Sequence, residues 1–262
     1  MLSFRFDVIS LFPKAFEAIN SLGVVGRAFS SNIAQLHIHN PRDFTSDRYR
    51  RVDDEPYGGG AGMVLKPEPI FETFDSIPMH GRRRVLMMTP QGKPLSQNDC
   101  ERWSTEQNQL ILICGNYEGF DERIRTIVDE EVSVGDFVLT GGELPAMVVI
   151  NGVVRLRPGT VGARESLLEE SHTDLLLEHP HYTRPADFQG MKVPLVLRSG
   201  NHEAISQWRE EQRQLRTKQR RPDLYSRWLV KQKLSKLKTD DFLVDSASIR
   251  MSNEDDNLYP DW

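Results

Sequence analysis

Apolar residues in this chain fall into short continuous runs, separated by stretches where they recur at helical spacing. The runs FRFDVISLF (4–12), IAQLHIHN (33–40), RVLMMTP (84–90), QLILICG (109–115) and FVLTGG (137–142) predict strands. Between them, PKAFEAI (13–19), KPEPIFETF (66–74), SQNDCERWSTEQ (96–107), DERIRTIV (121–128) and ELPAMVVINGVVRL (143–156) predict helices, the last despite its β-branched residues. Strands that read as unbroken apolar runs are buried on both faces, so the first part of the chain is expected to be an α/β domain with a mostly parallel sheet. From Pro158 to about Glu178 the pattern weakens and reads as a linker. After HPHYTRP the chain becomes helical: Asn201 caps a helix with Ile205, Trp208 and Leu215 on one face, with Gln212 between, and Arg209, Arg213, Arg216 and Arg220 along an adjacent stripe. A further helix begins at Asp223. The expected organisation is an α/β domain over 1–160, a flexible linker over 161–178, a helical domain over 179–240 and an acidic, disordered tail over 241–262.

Charge sharpens this division. The net charge is −5, yet Tyr182 to Lys238 holds fourteen Lys/Arg against five Asp/Glu, and the residues after Lys238 hold seven acids against Arg250 alone. A basic segment containing Tyr182, Trp208 and Trp228 suits phosphates and stacked bases, although tryptophans at helical spacing are more often core and an arginine stripe taken alone reads equally as a solvated face. No apolar stretch is long enough to span a membrane, and MLSFRFDVISLFP reads as a first strand rather than a signal peptide, so a cytoplasmic location is expected. The two cysteines, Cys100 and Cys114, lack zinc-ligand spacing, and Cys114 reads as a buried small hydrophobe. His37 with His39, and His179 with His181, have no third ligand nearby and are not read as a metal site.

Three predicted strands leave the sheet through glycine, in LMMTPQG (86–92), LILICGNYEG (110–119) and FVLTGGELP (137–145). Ligands of open α/β sheets sit beyond the carboxyl ends of strands, so the three exits are expected to form one pocket. None carries G-x-G-x-x-G, and YGGGAGM (57–63) lacks the Gly-Lys-Ser/Thr of a phosphate loop. With Leu86, Val138, Leu139 and Pro145 as apolar neighbours, the pocket suits a ligand with an aromatic base and polar edges. Gly141 and Gly142 remove side chains where a backbone or a ligand must come close.

The strings SLFP (10–13), PRDFTSDRYRRVDDEPYGGGAGM (41–63), TPQGKPL (89–95), CGNYEGFDER (114–123), VGDFVLTGGELPAM (134–147), HPHYTRP (179–185) and SGNHEAISQWR (199–209) follow one another in fixed order. Together they resemble the bacterial tRNA (guanine-N1)-methyltransferases that modify G37, the TrmD family of the SPOUT class, over nearly the whole length. The resemblance implies a deep C-terminal trefoil knot in the α/β domain, a small all-α domain after it, and S-adenosylmethionine held bent in the pocket. The residues it implies around that cofactor are Thr89, Pro90, Gly115, Tyr117, Glu118, Gly119, Val134, Gly135, Asp136, Phe137, Val138, Leu139, Gly141, Gly142 and Pro145. It implies tRNA contacts at Arg184, His202, Arg209, Arg213, Arg216 and Arg220, and a homodimer whose active site is shared between subunits.

Methylation at guanine N1 needs a base to take the N1 proton and a positive or donor group for charge developing on O6. The family's catalytic arginine and linker aspartate fall on Arg155 and on Glu170, where this chain has Glu for Asp. Glu169 is the competing base. Asn116 stands where many relatives have Arg, and Glu118 reads either as a polar contact near the sulfonium or as the cap of the helix near Asp121. The resemblance also implies that magnesium assists, with no ligands assigned: Asp53 and Asp54 would hold it or pair with Arg48, Arg50 and Arg51, the reading preferred. Two rivals remain. A ribose 2′-hydroxyl methyltransferase would need no carboxylate matched to a ring nitrogen, and a non-catalytic RNA-binding protein would bind without turnover.

Overall fold

The computed structural model describes residues 3–162 and 170–234. The chain divides into two compact units, Met1–Arg164 and Glu165–Trp262. Glu169 and the predicted acidic tail, 241–262, lie outside the described residues.

The first unit opens with β1 (Phe4–Ile9), a 3₁₀ turn over Pro13–Ser21, helix α1 (Gly23–Ser30) and β2 (Ala34–His39). The short strands β3 (Asp53–Asp54) and β4 (Val64–Leu65) precede helix α2 (Pro67–Ser76), β5 (Arg83–Pro94), helix α3 (Gln97–Glu106) and β6 (Gln109–Cys114). A 3₁₀ turn over Glu122–Ile127, β7 (Glu130–Ser133) and helix α4 (Glu143–Val154) complete it. The five long strands form one parallel sheet in the order β2-β1-β6-β5-β7, as the unbroken apolar runs require. Alternate residues feed two cores. Phe4, Phe6, Val8, Leu86, Leu110 and Leu112 meet Val25, Trp103, Val149 and Val153 on one face, whereas Ile9, Val85, Met87, Ile111 and Ile113 meet Ile70 and Ile77 on the other.

Local chemistry sets the helix ends. Pro67 starts α2, where its missing N–H costs nothing. Ser96 and Asp99 form a reciprocal capping box on α3. The run after Pro13 is a 3₁₀ turn rather than the expected helix, ended before Gly23 at φ +45°, and a helix that the apolar pattern did not single out, α1, follows it. DERIRTIV likewise closes only as a 3₁₀ turn.

Two strand expectations are corrected. FVLTGG is not a strand: pairing ends at Ser133, and Phe137, Val138 and Leu139 stand 55%, 82% and 40% exposed. Gly135 at φ +149° and a hydrogen bond from Phe137 N to Gly135 O turn the backbone away from the sheet. LMMTPQG does not leave at its glycine either, because β5 continues through Gly92 to Pro94 after a register shift between Met88 and Lys93. A Cβ at Gly92 would collide with the backbone of Glu131 and Val132, which is why the second pairing with β7 passes there.

The second unit carries the segment 170–178, a hairpin of β8 (Asp187–Phe188) and β9 (Met191–Lys192), a 3₁₀ turn over Leu195–Arg198, helix α5 (His202–Arg220) and a helix over 222–234. The hairpin corrects the all-α expectation; its turn is made by Gln189 and Gly190, both at positive φ, the pairing suited to a tight hairpin. Asn201 accepts a hydrogen bond from Ala204 N and caps α5. Asp223 lies in the first turn of the last helix, paired with Arg221 at 2.7 Å.

Candidate functional site

At the carboxyl ends of β5, β6 and β7 lies a cavity of about 330 Å³, within the range of small-molecule sites. Its first wall is Thr89 and Pro90, in the excursion of β5; its second is Gly115, Tyr117, Glu118 and Gly119, following β6. Val134, Gly135, Phe137, Val138, Leu139, Gly141 and Gly142 form the third, and Pro145 in the first turn of α4 closes the floor. Of the pocket residues expected from the sequence, Asp136, which is exposed, and Leu86, which is fully buried in the core, do not line it.

Close backbone packing shapes this cavity. Gly142 N donates to Gly115 O at 2.8 Å, tying the third wall to the second. A Cβ on Gly142 would lie 2.7 Å from Cys114 Cα and 2.8 Å from Gly115 N, and one on Gly115 would lie 2.7 Å from the Phe120 ring. A Cβ on Gly141 would meet the carboxylate of Glu143 and Asn116 Oδ1. The glycine pair therefore separates two kinds of neighbour: main chain under Gly142, polar side chains under Gly141.

Those side chains form a buried network that motif reading passed over. Glu143, at the start of α4, accepts from Ser10 Oγ at 2.7 Å and from Asn116 Nδ2 at 3.2 Å. A carboxylate with so little exposure requires such donors, so an acidic residue directly before an apolar helix was the available signal. Asn116 thus has a specific partner without carrying a charge. Cys114, beneath this network, has its thiol pushed well up by burial and then by Glu143. At the rim, Arg125 pairs with Glu122 at 2.8 Å and with Glu131, and its Nη2 donates to Gln91 Oε1 at 3.0 Å. No periodicity in the sequence pointed to Glu122 or Arg125 as lining residues.

Glu118 does not cap the turn beyond it, because Asp121 does so by accepting from Arg123 N at 3.0 Å. Glu118 lies instead against Gly62, and its N donates to Met63 O at 3.0 Å. Tyr117, at φ +59°, accepts on its hydroxyl from Arg42 Nη2 at 3.3 Å. The pairing preferred for Asp53 and Asp54 is not found: among the described residues Arg50 pairs with Asp43 at 3.4 Å, while Asp47 accepts from Tyr49 N and Arg51 N. Nor do any three His, Cys, Asp or Glu among the described residues come together as a metal site.

Arg155 does not line the cavity. It caps the far end of α4 (Glu143–Val154), thirteen residues on from Gly142 and so about 20 Å from it along the helix axis. Its charge acts on Cys100, whose thiol burial nonetheless pushes up to about 11. In the second unit, Glu170 opens the described segment, its carbonyl accepting from Thr173 N at 3.4 Å. Arg184, His202, Arg209 and Arg220 are exposed, and Arg216 is half-buried with Nη1 3.5 Å from Glu178 O. Arg213 departs from the expected phosphate stripe: it is 9% exposed and paired with Asp174 at 2.6 Å and Glu210 at 3.2 Å. The buried face of α5 is Arg213 and Thr217 rather than Ile205, Trp208 and Leu215, because the segment 170–178 packs there. Trp208 is half-buried with its ring 6.4 Å from that of Tyr182, and Trp228 stacks on Tyr225 at 5.6 Å.

The chain is similar to known proteins over most of its length. The family model described as tRNA (Guanine-1)-methyltransferase TrmD matches residues 4–227. A protein of Synechococcus sp. (strain WH7803) named tRNA (guanine-N(1)-)-methyltransferase is 70% identical over 228 residues, covering 87% of this chain and 94% of the relative. One of the same name from Synechococcus sp. (strain RCC307) is 68% identical over 228 residues, covering 87% and 96%. Another, from Trichormus variabilis (strain ATCC 29413 / PCC 7937), is 55% identical over 229 residues, covering 87% and 94%.

Proposed function

The chain belongs to the tRNA (guanine-1)-methyltransferase family and is a tRNA methyltransferase; from that premise we propose that it methylates N1 of guanosine 37 with S-adenosylmethionine as donor. The observation that carries the reading is the glycine-walled cavity, where a Cβ at Gly142 would strike main chain and where exposed Phe137, Val138 and Leu139 offer apolar contact to a nucleoside. When bound, S-adenosylmethionine supplies an electrophilic methyl on its sulfonium, so the protein's own work is orientation and proton handling.

Glu170 takes the proton from guanine N1, and the Arg155 guanidinium stabilises the charge that develops on O6. Within one chain Arg155 stands a helix length from the cavity floor, which supports an active site assembled from two subunits. Helix α4 supports the same reading. Its Ala146, Val149, Ile150, Val153 and Val154 are buried, yet Leu144 and Val148, one turn apart, are 60% and 50% exposed. A helix apolar on nearly every side wants a second covering surface, here another copy of the chain. We further infer a trefoil knot, from the close passage of Gly142 over Cys114 and Gly115, and contact with tRNA phosphates by the exposed Arg184, Arg209 and Arg220.

The test is methyl transfer from labelled S-adenosylmethionine to tRNA transcripts carrying G37 or A37, with the product mapped by digestion. Guanosine methylated at N1 is expected from the first and no product from the second. Label on a ribose, or transfer to the A37 transcript at a similar rate, would refute the reading.

A further inference from the structure

The segment that carries Glu170 is built as a clamped loop against α5. Asp174 accepts from Arg213 Nη2 at 2.6 Å. Leu177 N donates to Thr217 Oγ1 at 2.8 Å, and that hydroxyl donates onward to Arg213 O at 2.6 Å. Leu176 between these two anchors is fully buried. Inside the loop His172 N donates to Leu176 O at 3.0 Å, Leu176 N to Asp174 Oδ1 at 3.1 Å, and Glu178 N to Ser171 Oγ at 3.0 Å.

Two residues of this loop, His172 at φ +77° and Leu175 at φ +75°, hold a left-handed backbone despite their side chains. Such a conformation persists only where surrounding contacts over-determine it, and it concentrates at functional sites. The anchor is also dear as a pure stability device. Arg213 is buried with no hydrogen-bond partner for its Nε among the described residues, an unsatisfied group that costs free energy, and its ion pair is made to a half-buried Asp174. What an ion pair provides that an apolar contact does not is direction.

We infer that Arg213, acting through Asp174, is a positioning residue for methyl transfer: it fixes the loop to which Glu170 is joined by the hydrogen bond from Thr173 N to Glu170 O, and so sets where the base's carboxylate points. The inference rests on the reading of Glu170 as the base. It also links that base to the helix bearing Arg209 and Arg220, so the element that meets RNA phosphates is the one that orients the base.

A double-mutant cycle tests it by single-turnover methyl transfer at saturating tRNA and donor, comparing Asp174→Asn in the wild-type and Glu170→Gln backgrounds. Asp174→Asn is expected to slow transfer on the order of 10²-fold in the wild type, the scale of a small misplacement of a reacting group. In the Glu170→Gln background, where no correctly charged base remains to be aimed, the further loss should be under about threefold. The tRNA dissociation constant should stay within about twofold, and Asp174→Glu, which keeps the charge, should recover much of the rate. Equal losses in both backgrounds would make the pair merely structural and overturn the inference, as would a full rate for Asp174→Asn beside an inactive Glu170→Gln. A Glu170→Gln enzyme as fast as the wild type would overturn the base assignment and the inference with it. Should Arg213→Gln fail to fold, Asp174→Asn still decides, since it leaves α5 unaltered.

Discussion

Gly141 and Gly142 are adjacent and chemically identical, yet their neighbours predict unequal tolerance. A methyl at Gly142 meets Cys114 Cα at 2.7 Å and Gly115 N at 2.8 Å, both main chain at the end of a central strand. A methyl at Gly141 meets the ends of the Glu143 and Asn116 side chains, which can turn aside. Gly142→Ala should cost about 1–3 kcal/mol by overpacking and weaken donor binding sharply, whereas Gly141→Ala should keep most stability; urea unfolding and calorimetric titration of S-adenosylmethionine check both. Equal stability losses would mean that the crowding at Gly142 is relieved by backbone movement. The need for small residues here was legible in the sequence, because two consecutive glycines between apolar runs leave room for main chain or ligand to approach and contribute nothing to a core themselves. The burial of Arg213 was not legible, since helical spacing gives the stripe but not what packs over it.

Among the elements, β5, α3 and β7 are joined by Glu130. Burial tends to raise its carboxyl, but hydrogen bonds from Arg102, Arg84 and Trp103 outweigh that and hold it down to about 2 from an ordinary 4.5. A depressed carboxyl contributes stability that is complete above 4.5 and lost as pH falls toward about 2. Glu130→Gln should therefore cost about 2 kcal/mol at neutral pH, the scale of hydrogen bonds to a charged group, with the gap from wild type closing between those two values in urea titrations at stepped pH. A constant gap would contradict the assigned contacts. Elements with strong periodicity or caps, such as α3 with Ser96 and Asp99, could be read from the sequence. FVLTGG could not, because a short apolar run has the same composition whether it crosses a core or lines a pocket, and only pairing partners distinguish them.

For the whole molecule, the proposed dimer makes a quantitative prediction. If each active site takes its cavity from one subunit and Arg155 from the other, Arg155→Ala and the cavity variant Gly141→Val, each inactive alone, should regain about one quarter of wild-type activity on random mixing. Half of the dimers would then be mixed, each with one intact site; measurement after co-refolding checks this, and no recovery would place Arg155 with its own chain's cavity. A second expectation follows from α4, where Leu144→Asp with Val148→Asp should yield monomers by sedimentation and abolish transfer. The sequence by itself determined the parallel sheet, the glycines that wall the cavity and the basic segment from Tyr182 to Lys238, because apolar runs, missing side chains and charge are properties of consecutive residues. Only the tertiary structure decided that β5 pairs twice with β7, that Glu143 is satisfied by Ser10 and Asn116, that Arg155 stands a helix length from the cavity, and that Arg213 faces Asp174 rather than solvent. Each of these joins residues distant along the chain or measures a separation across it, and such distances are set by packing that no local pattern encodes.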